Sequence, residues 1–262
     1  MTPPTADAPL GGIGILVTRP REQAAGLMND LRQLGAHPIL FPALAILPPH
    51  EQVPLQAVIA RLEHFQLAIF ISPTAAQRGM AAVSAIRTWP SGLPVAAVGK
   101  GTAKALHELG IEEVLQPESG ADSEHLLALP QLQAMAGKEV AIFRGEGGRE
   151  ILAQTLRERG AQVTYAECYR RGLPMESDPA PILELFAEDK IQAVTAYSGE
   201  TLDNLFQLLG NAGKDYLCRT PLFVPHPRIA ERAQQLGMHT VMDCQAHEGR
   251  LIPCLVEYFA HD

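Results

Sequence analysis

The sequence lacks most of the features that would assign a chemistry at sight. Its four cysteines, Cys168, Cys218, Cys244 and Cys254, show no C-x-x-C spacing, so neither a zinc knuckle nor a disulfide framework is indicated. They read as free thiols of a reducing cytoplasm. No apolar run approaches the roughly 18 residues that a membrane helix needs. The opening MTPPTADAPLGG lacks the basic start and apolar middle of a secretory signal and reads as a frayed tail before the first strand. A basic excess is missing as well. The formal charge of −8 argues against a nucleic-acid partner, while leaving room for a small anionic ligand held by local groups. Among nine histidines there is no H-E-x-x-H and no Cys/His cluster, which leaves a metal site unsupported. There is no G-x-S-x-G elbow, and Gly145-Glu146-Gly147-Gly148 is neither a dinucleotide fingerprint nor a P-loop.

What is present is a regular alternation. Short apolar, β-branched runs recur at Ile13 to Val17, Leu67 to Ile71, Val95 to Val98, Val140 to Phe143, Gln192 to Ala196 and Leu222 to Val224. Helical spacing follows each, as in Ala24-Leu27-Leu31-Leu34 ended by Gly35, or Ile151-Leu152-Leu156 ended by Gly160. The pattern predicts an α/β fold of parallel sheets flanked by helices. At 262 residues, two lobes are expected rather than one core.

The two halves also match each other. ILVTRPREQAAGLMNDLRQLGA lies over VAIFRGEGGREILAQTLRERGA with Arg19 on Arg144 and Gly35 on Gly160; AIFISP lies over VTAYSG with Ser72 on Ser198; PVAAVGKGTAKALHELG lies over PLFVPHPRIAERAQQLG. Three matches in one order predict two similar lobes with a ligand cleft between them. The proline-bearing stretch Pro38 to Pro49 and its counterpart Val163 to Pro174 read as a two-stranded linker.

In such sheets ligands bind outside the carboxyl ends of the strands. The loops there read Thr18-Arg19-Pro20-Arg21, Ser72-Pro73-Thr74, Gly99-Lys100-Gly101-Thr102, Arg144-Gly145-Glu146-Gly147-Gly148-Arg149, Ser198-Gly199-Glu200-Thr201 and Pro225-His226-Pro227-Arg228. Nearly all join a small residue to a hydroxyl or a cation, a composition suited to anions at helix starts. Caps and turns need the same residue types, so Ser72, Thr102 and Ser198 are equally expected as N-caps and the glycines as turn residues. Tyr169, in ECYRR, is a phenol able to donate a proton, or an interfacial tyrosine that packs its ring.

ILVTRP, AIFISPTAA, VAAVGKGTAKAL, SEHLLALP, VAIFRGEGGRE, LRERGAQVTYAECYRR and PLFVPHPRIAERAQQLG, in that order and spacing, resemble the uroporphyrinogen-III synthase family over nearly the whole chain. The resemblance implies a lobe built from both chain ends (1–37 with 175–262), an inserted lobe (50–162) and linker strands at 38–49 and 163–174. It implies a cytoplasmic, cofactor-free monomer that cyclises linear hydroxymethylbilane with loss of water and inversion of the last pyrrole ring. The substrate carries eight carboxylates, and it would arrive through transient contact with the preceding enzyme. Carried over by position, Tyr169 is the candidate for helping the hydroxyl leave. Arg19, Ser72, Gly99, Lys100, Thr102, Arg144, Gly145, Gly147, Gly148, Arg149, Ser198, His226 and Arg228 are the candidates for holding substrate. Rival readings are a two-lobed binding protein, which would call for export, and a nucleotide-dependent transferase with Gly145 to Arg149 as its phosphate cradle.

Overall fold

The computed structural model describes residues 8–175, 177–244 and 250–260. The chain divides into two compact units, Met1–Ala45 with Gly172–Asp262, and Ile46–Arg171.

The first unit holds β1 (Gly14–Val17), α1 (Arg21–Gln33) and β2 (His37–Leu40) from the start of the chain. The second runs through β3 (Ala45–Leu47), α2 (Val53–Ala60), β4 (Leu67–Phe70), α3 (Pro73–Ser84), β5 (Val95–Ala97), α4 (Lys100–Glu108), β6 (Val114–Leu115), α5 (Ser123–Leu127), β7 (Glu139–Gly145), α6 (Ile151–Glu158) and β8 (Gln162–Gly172). The first is then completed by α7 (Ala180–Ala187), β9 (Ala193–Thr195), α8 (Gly199–Arg219), β10 (Leu222–Val224), α9 (Pro227–Gln235), β11 (Val241–Asp243) and α10 (Leu251–Ala260).

The sheets are ordered β11-β10-β9-β1-β2 and β3-β8-β7-β4-β5-β6. The internal match seen in the sequence sets β1 on β7, β2 on β8, β9 on β4, β10 on β5 and β11 on β6, and this substitution turns the first order into the last five strands of the second. Register agrees as well. Gly14 faces His37 as Glu139 faces Gln162, Ile15 faces Ala193 as Val140 faces Leu67, and Leu222 faces Val241 as Val95 faces Val114. Both equivalent helices, α1 and α6, are followed by a glycine at φ 86°, Gly35 and Gly160, where a side chain would be strained.

Each sheet is covered on both faces. In the second unit, Ala68, Phe70, Val95, Ala97, Ala141 and Phe143 point into one core with α2, α3 and α4. Their chain neighbours Leu67, Ile69, Ala96, Val98, Val140 and Ile142 point into the other, with α5 and α6. This period-two alternation between two apolar faces is why the strands read as continuous hydrophobic runs. Phe70 and Phe143 stack at 4.5 Å, each fully buried and worth about 1.5–3 kcal/mol of transfer free energy.

The chain passes between the two units at Ala45/Ile46 and Arg171/Gly172, inside both of the expected linker strands. Val163 to Pro174 is for the most part strand β8, paired with β7 from Gln162 to Tyr169 and bordered on its other side by the short β3. The stretch Pro38 to Pro49 likewise contributes β2 to one sheet and β3 to the other. Residues 1–7 of the expected tail lie outside the described residues, but the part from Ala8 to Gly12 is tied down. Leu10 is fully buried and its N–H donates to the Leu34 carbonyl at 2.9 Å. Finally, Cys244 and Cys254 are joined in a disulfide, while Cys168 and Cys218 are free. Their Cα atoms stand 5.7 Å apart, a proximity that ten residues of sequence cannot reveal.

Candidate active site at the strand ends

The best-defined group of predicted residues lies where β4, β7 and β8 end. β8 runs in register with β7 until Arg144 faces Glu167; the next pair is Gly145 with Tyr169, so a bulge falls between them. A bulge places two successive side chains on one side of the sheet. Ala166 and Cys168 already point into the core beneath α3, and the bulge turns Tyr169 into the same core instead of its opposite. Tyr169 is 4% exposed, and its hydroxyl stands 3.4 Å from Ser72 Oγ. Ser72 is also the N-cap of α3, accepting from the Ala75 N–H at 3.0 Å. The capping and functional readings of Ser72 are thus compatible: the cap fixes its oxygen where the phenol arrives.

Cys168 lies beside Tyr169, its Sγ 3.3 Å from the Arg144 carbonyl, and burial pushes its thiol up to about 12. It is a packing residue with no accessible thiolate at neutral pH.

Arg144 is engaged within its own loop. It is buried, and its guanidinium donates to the carbonyls of Gly145 and Gly147 and to Glu150 at 2.9 Å, while lying 4.5 Å over the Tyr165 ring. The Tyr165 hydroxyl donates to Glu150, and that bond first, then Arg144, holds the Glu150 carboxyl below the usual carboxylate range. Burial, then the same contact, raises the Tyr165 phenol. The glycine-rich loop therefore turns carbonyls inward onto a cation, opposite to a phosphate cradle. Gly147 and Gly148 are exposed and have positive φ, as turn residues. On the loop's other side, Glu146 accepts from the backbone N–H and ring Nδ1 of His50. Desolvation pushes its carboxyl up, but those two bonds outweigh it and the net shift is downward. Only Arg149 of this loop remains an exposed candidate cation.

At α4, Lys100 is exposed, Thr102 is buried in the first turn, and Gly99 packs where a Cβ would stand 2.8 Å from that of Ala121. In the first unit the equivalent strand ends carry Arg19, whose guanidinium lies 4.1 Å over the Tyr197 ring, and Ser198, which caps α8 through the Thr201 N–H at 3.0 Å. His226 caps α9, its Nδ1 accepting from the Arg228 N–H at 3.3 Å, and Arg228 is exposed. The sequence reading missed His50, Glu150, Tyr165 and Tyr197. Among the described residues no group of three or more His, Cys, Asp or Glu could hold a metal, and no helix is long and apolar enough to cross a membrane.

These features define a duplicated α/β protein with a buried phenol and a set of hydroxyls and cations at its strand ends. A family model described as "Uroporphyrinogen-III synthase HemD" matches residues 26–252. The uroporphyrinogen-III synthase of Escherichia coli is 34% identical over 231 residues, 87% of this chain and 94% of the relative. That of Synechococcus elongatus is 31% identical, covering 94% and 90%. Among solved structures, a Thermus thermophilus mutant uroporphyrinogen III synthase superposes with a TM-score of 0.57 at 19% identity, covering 94% of this chain and 97% of that one. The Helicobacter pylori uroporphyrinogen-III synthetase gives 0.56 at 13%, covering 95% and 100%. The chain belongs to the uroporphyrinogen-III synthase family, cyclising lyases of porphyrin biosynthesis.

Proposed function

We propose that this chain converts linear hydroxymethylbilane to uroporphyrinogen III, with Tyr169 assisting departure of the terminal hydroxyl and Ser72 beside it. The observation that carries the assignment of roles is the bulge in β8, which gives up regular pairing to set a phenol against a strand-end hydroxyl. Loss of water needs a proton at the leaving oxygen, and the pyrrole lone pairs supply the push. We propose further that Arg19, Lys100, Arg149 and Arg228, with backbone N–H groups near Gly99, Thr102, Ser198 and His226, hold the substrate's carboxylates. Arg144, Gly145, Gly147 and Gly148 shape their loop instead. The protein would act as a cytoplasmic monomer receiving substrate from the preceding enzyme.

The test is cyclisation of hydroxymethylbilane with isomer analysis. Unassisted closure gives the symmetric type I ring, so a dominant type III product is the expected result and type I alone would refute the activity. Binding should be distributed: removing Arg19, Lys100, Arg149 or Arg228 singly should raise KM about five- to thirtyfold, the equivalent of about 1–2 kcal/mol. KM should also rise with salt. Abolition of binding by one such change in a folded protein would show that a single cation dominates.

A further inference from the structure

Gly145 ends β7 opposite Tyr169, just past the bulge. It is not one of the glycines at positive φ, unlike Gly147 (70°) and Gly148 (103°), so its backbone would accept any L residue. What excludes a side chain here is space. A Cβ on Gly145 would stand 2.7 Å from both Cε2 and Cζ of the Tyr169 ring and 3.2 Å from Cε1, well inside contact distance.

The surroundings prevent an easy escape. The Tyr169 carbonyl accepts from the Glu146 N–H at 2.8 Å, and Glu146 is itself clasped by His50. The Arg144 guanidinium holds the Gly145 carbonyl from the other side. With the strand end fixed, a new methyl would displace the ring.

We infer that Gly145 is a positioning residue for Tyr169: the bare backbone at the end of β7 is the seat on which the phenol ring lies, and it aims the hydroxyl at Ser72. The inference rests on the reading of Tyr169 as the group that assists hydroxyl loss. The contact with Ser72 is already 3.4 Å, so a displacement of about 1 Å takes the hydroxyl out of hydrogen-bond reach, and misplacement on that scale can cost about a hundredfold in rate.

Gly145→Ala should lower kcat about ten- to a hundredfold while KM stays within about twofold. In a Tyr169→Phe background the same change should cost less than about twofold, because no hydroxyl remains to be aimed. In protein labelled with ¹³C-tyrosine, the Tyr169 signal, identified by its loss in Tyr169→Phe, should move in Gly145→Ala while the other tyrosine signals hold. If Gly145→Ala folds poorly, combining it with Tyr169→Ala decides the matter. With the ring gone, the added methyl should leave the urea midpoint of Tyr169→Ala nearly unchanged. Wild-type kcat in Gly145→Ala, an undiminished loss in the Tyr169→Phe background, an unmoved Tyr169 signal, or a destabilisation that removing the ring does not relieve would each overturn the inference. Wild-type kcat in Tyr169→Phe itself would instead refute the reading of Tyr169, and the tyrosine signal and the stability rescue would still decide whether Gly145 seats the ring.

Discussion

Tyr169→Phe should lower kcat about ten- to a thousandfold with KM little changed. A positioned acid contributes typically about 10²–10⁴ in rate, and a leaving group already pushed out by an electron-rich pyrrole should need less than the full amount. The lost interaction strengthens only as the C–O bond breaks, so it belongs to the transition state and leaves substrate binding intact. The substitution is well suited to the question because the ring's work and the hydroxyl's work are separable here. The ring packs in the core beneath α3 and stays in the variant, whereas among the described residues the hydroxyl makes only the long contact with Ser72, whose capping bond to Ala75 survives. Stability should therefore shift by less than about 1 kcal/mol. Isomer choice should survive too, since ring inversion depends on how the intermediate is held. A Phe variant that folds and turns over at the wild-type rate would confine Tyr169 to packing.

The fold was legible wherever strands were buried on both faces, because β1, β4, β5 and β10 and the centres of β7 and β9 are apolar, and each is followed by an amphipathic helix. The short outer strands β3, β6 and β11 have two or three residues each, too few for a period to show. β8, expected as a linker strand, also pairs along most of its length with β7, which its alternating polar residues left hidden. The sequence nevertheless carried a sign of the bulge: Ala166 and Cys168 keep the inward alternation, and Tyr169 breaks it. The arginines show what the repeat could not convey. Arg19 and Arg144 are equivalent in the repeat, which suggested one role for both, but their surroundings differ. In the copy containing Arg144, Glu150 stands at the N-cap of the helix and the next strand carries Tyr165, and both engage the guanidinium. The equivalent positions beside Arg19 are Ala25 and Leu40. Without those partners Arg19 turns to the opposite neighbouring strand and lies over Tyr197 at the end of β9. A duplicated cation thus acquired two fates through two substitutions near it, and only the three-dimensional pairing of β8 with β7 reveals which is which.

Arg144→Ala should accordingly be a stability mutation. The change leaves the Gly145 and Gly147 carbonyls without their donor and removes the planar group stacked on Tyr165. At about 1 kcal/mol for each lost hydrogen bond and about 0.5–1 for the ring contact, the expected loss is roughly 2–3 kcal/mol, visible as a lower urea midpoint at pH 7. Arg149→Ala, five residues on and exposed, should stay within about 0.5 kcal/mol of wild type and act on KM instead. The pH dependence offers a second check. The Glu150 carboxyl is held below its ordinary range by Tyr165 and then Arg144. A carboxylate with a depressed folded pKa adds stability that is complete above its unfolded pKa and is lost as pH falls through the folded one. Part of that acid-side loss depends on Arg144, so the advantage of the wild type over Arg144→Ala should shrink, without vanishing, as the pH drops below the ordinary carboxylate range. If Arg144→Ala kept the wild-type urea midpoint and only raised KM, the guanidinium would belong to substrate binding after all, and the inward-turned loop would not be what holds it.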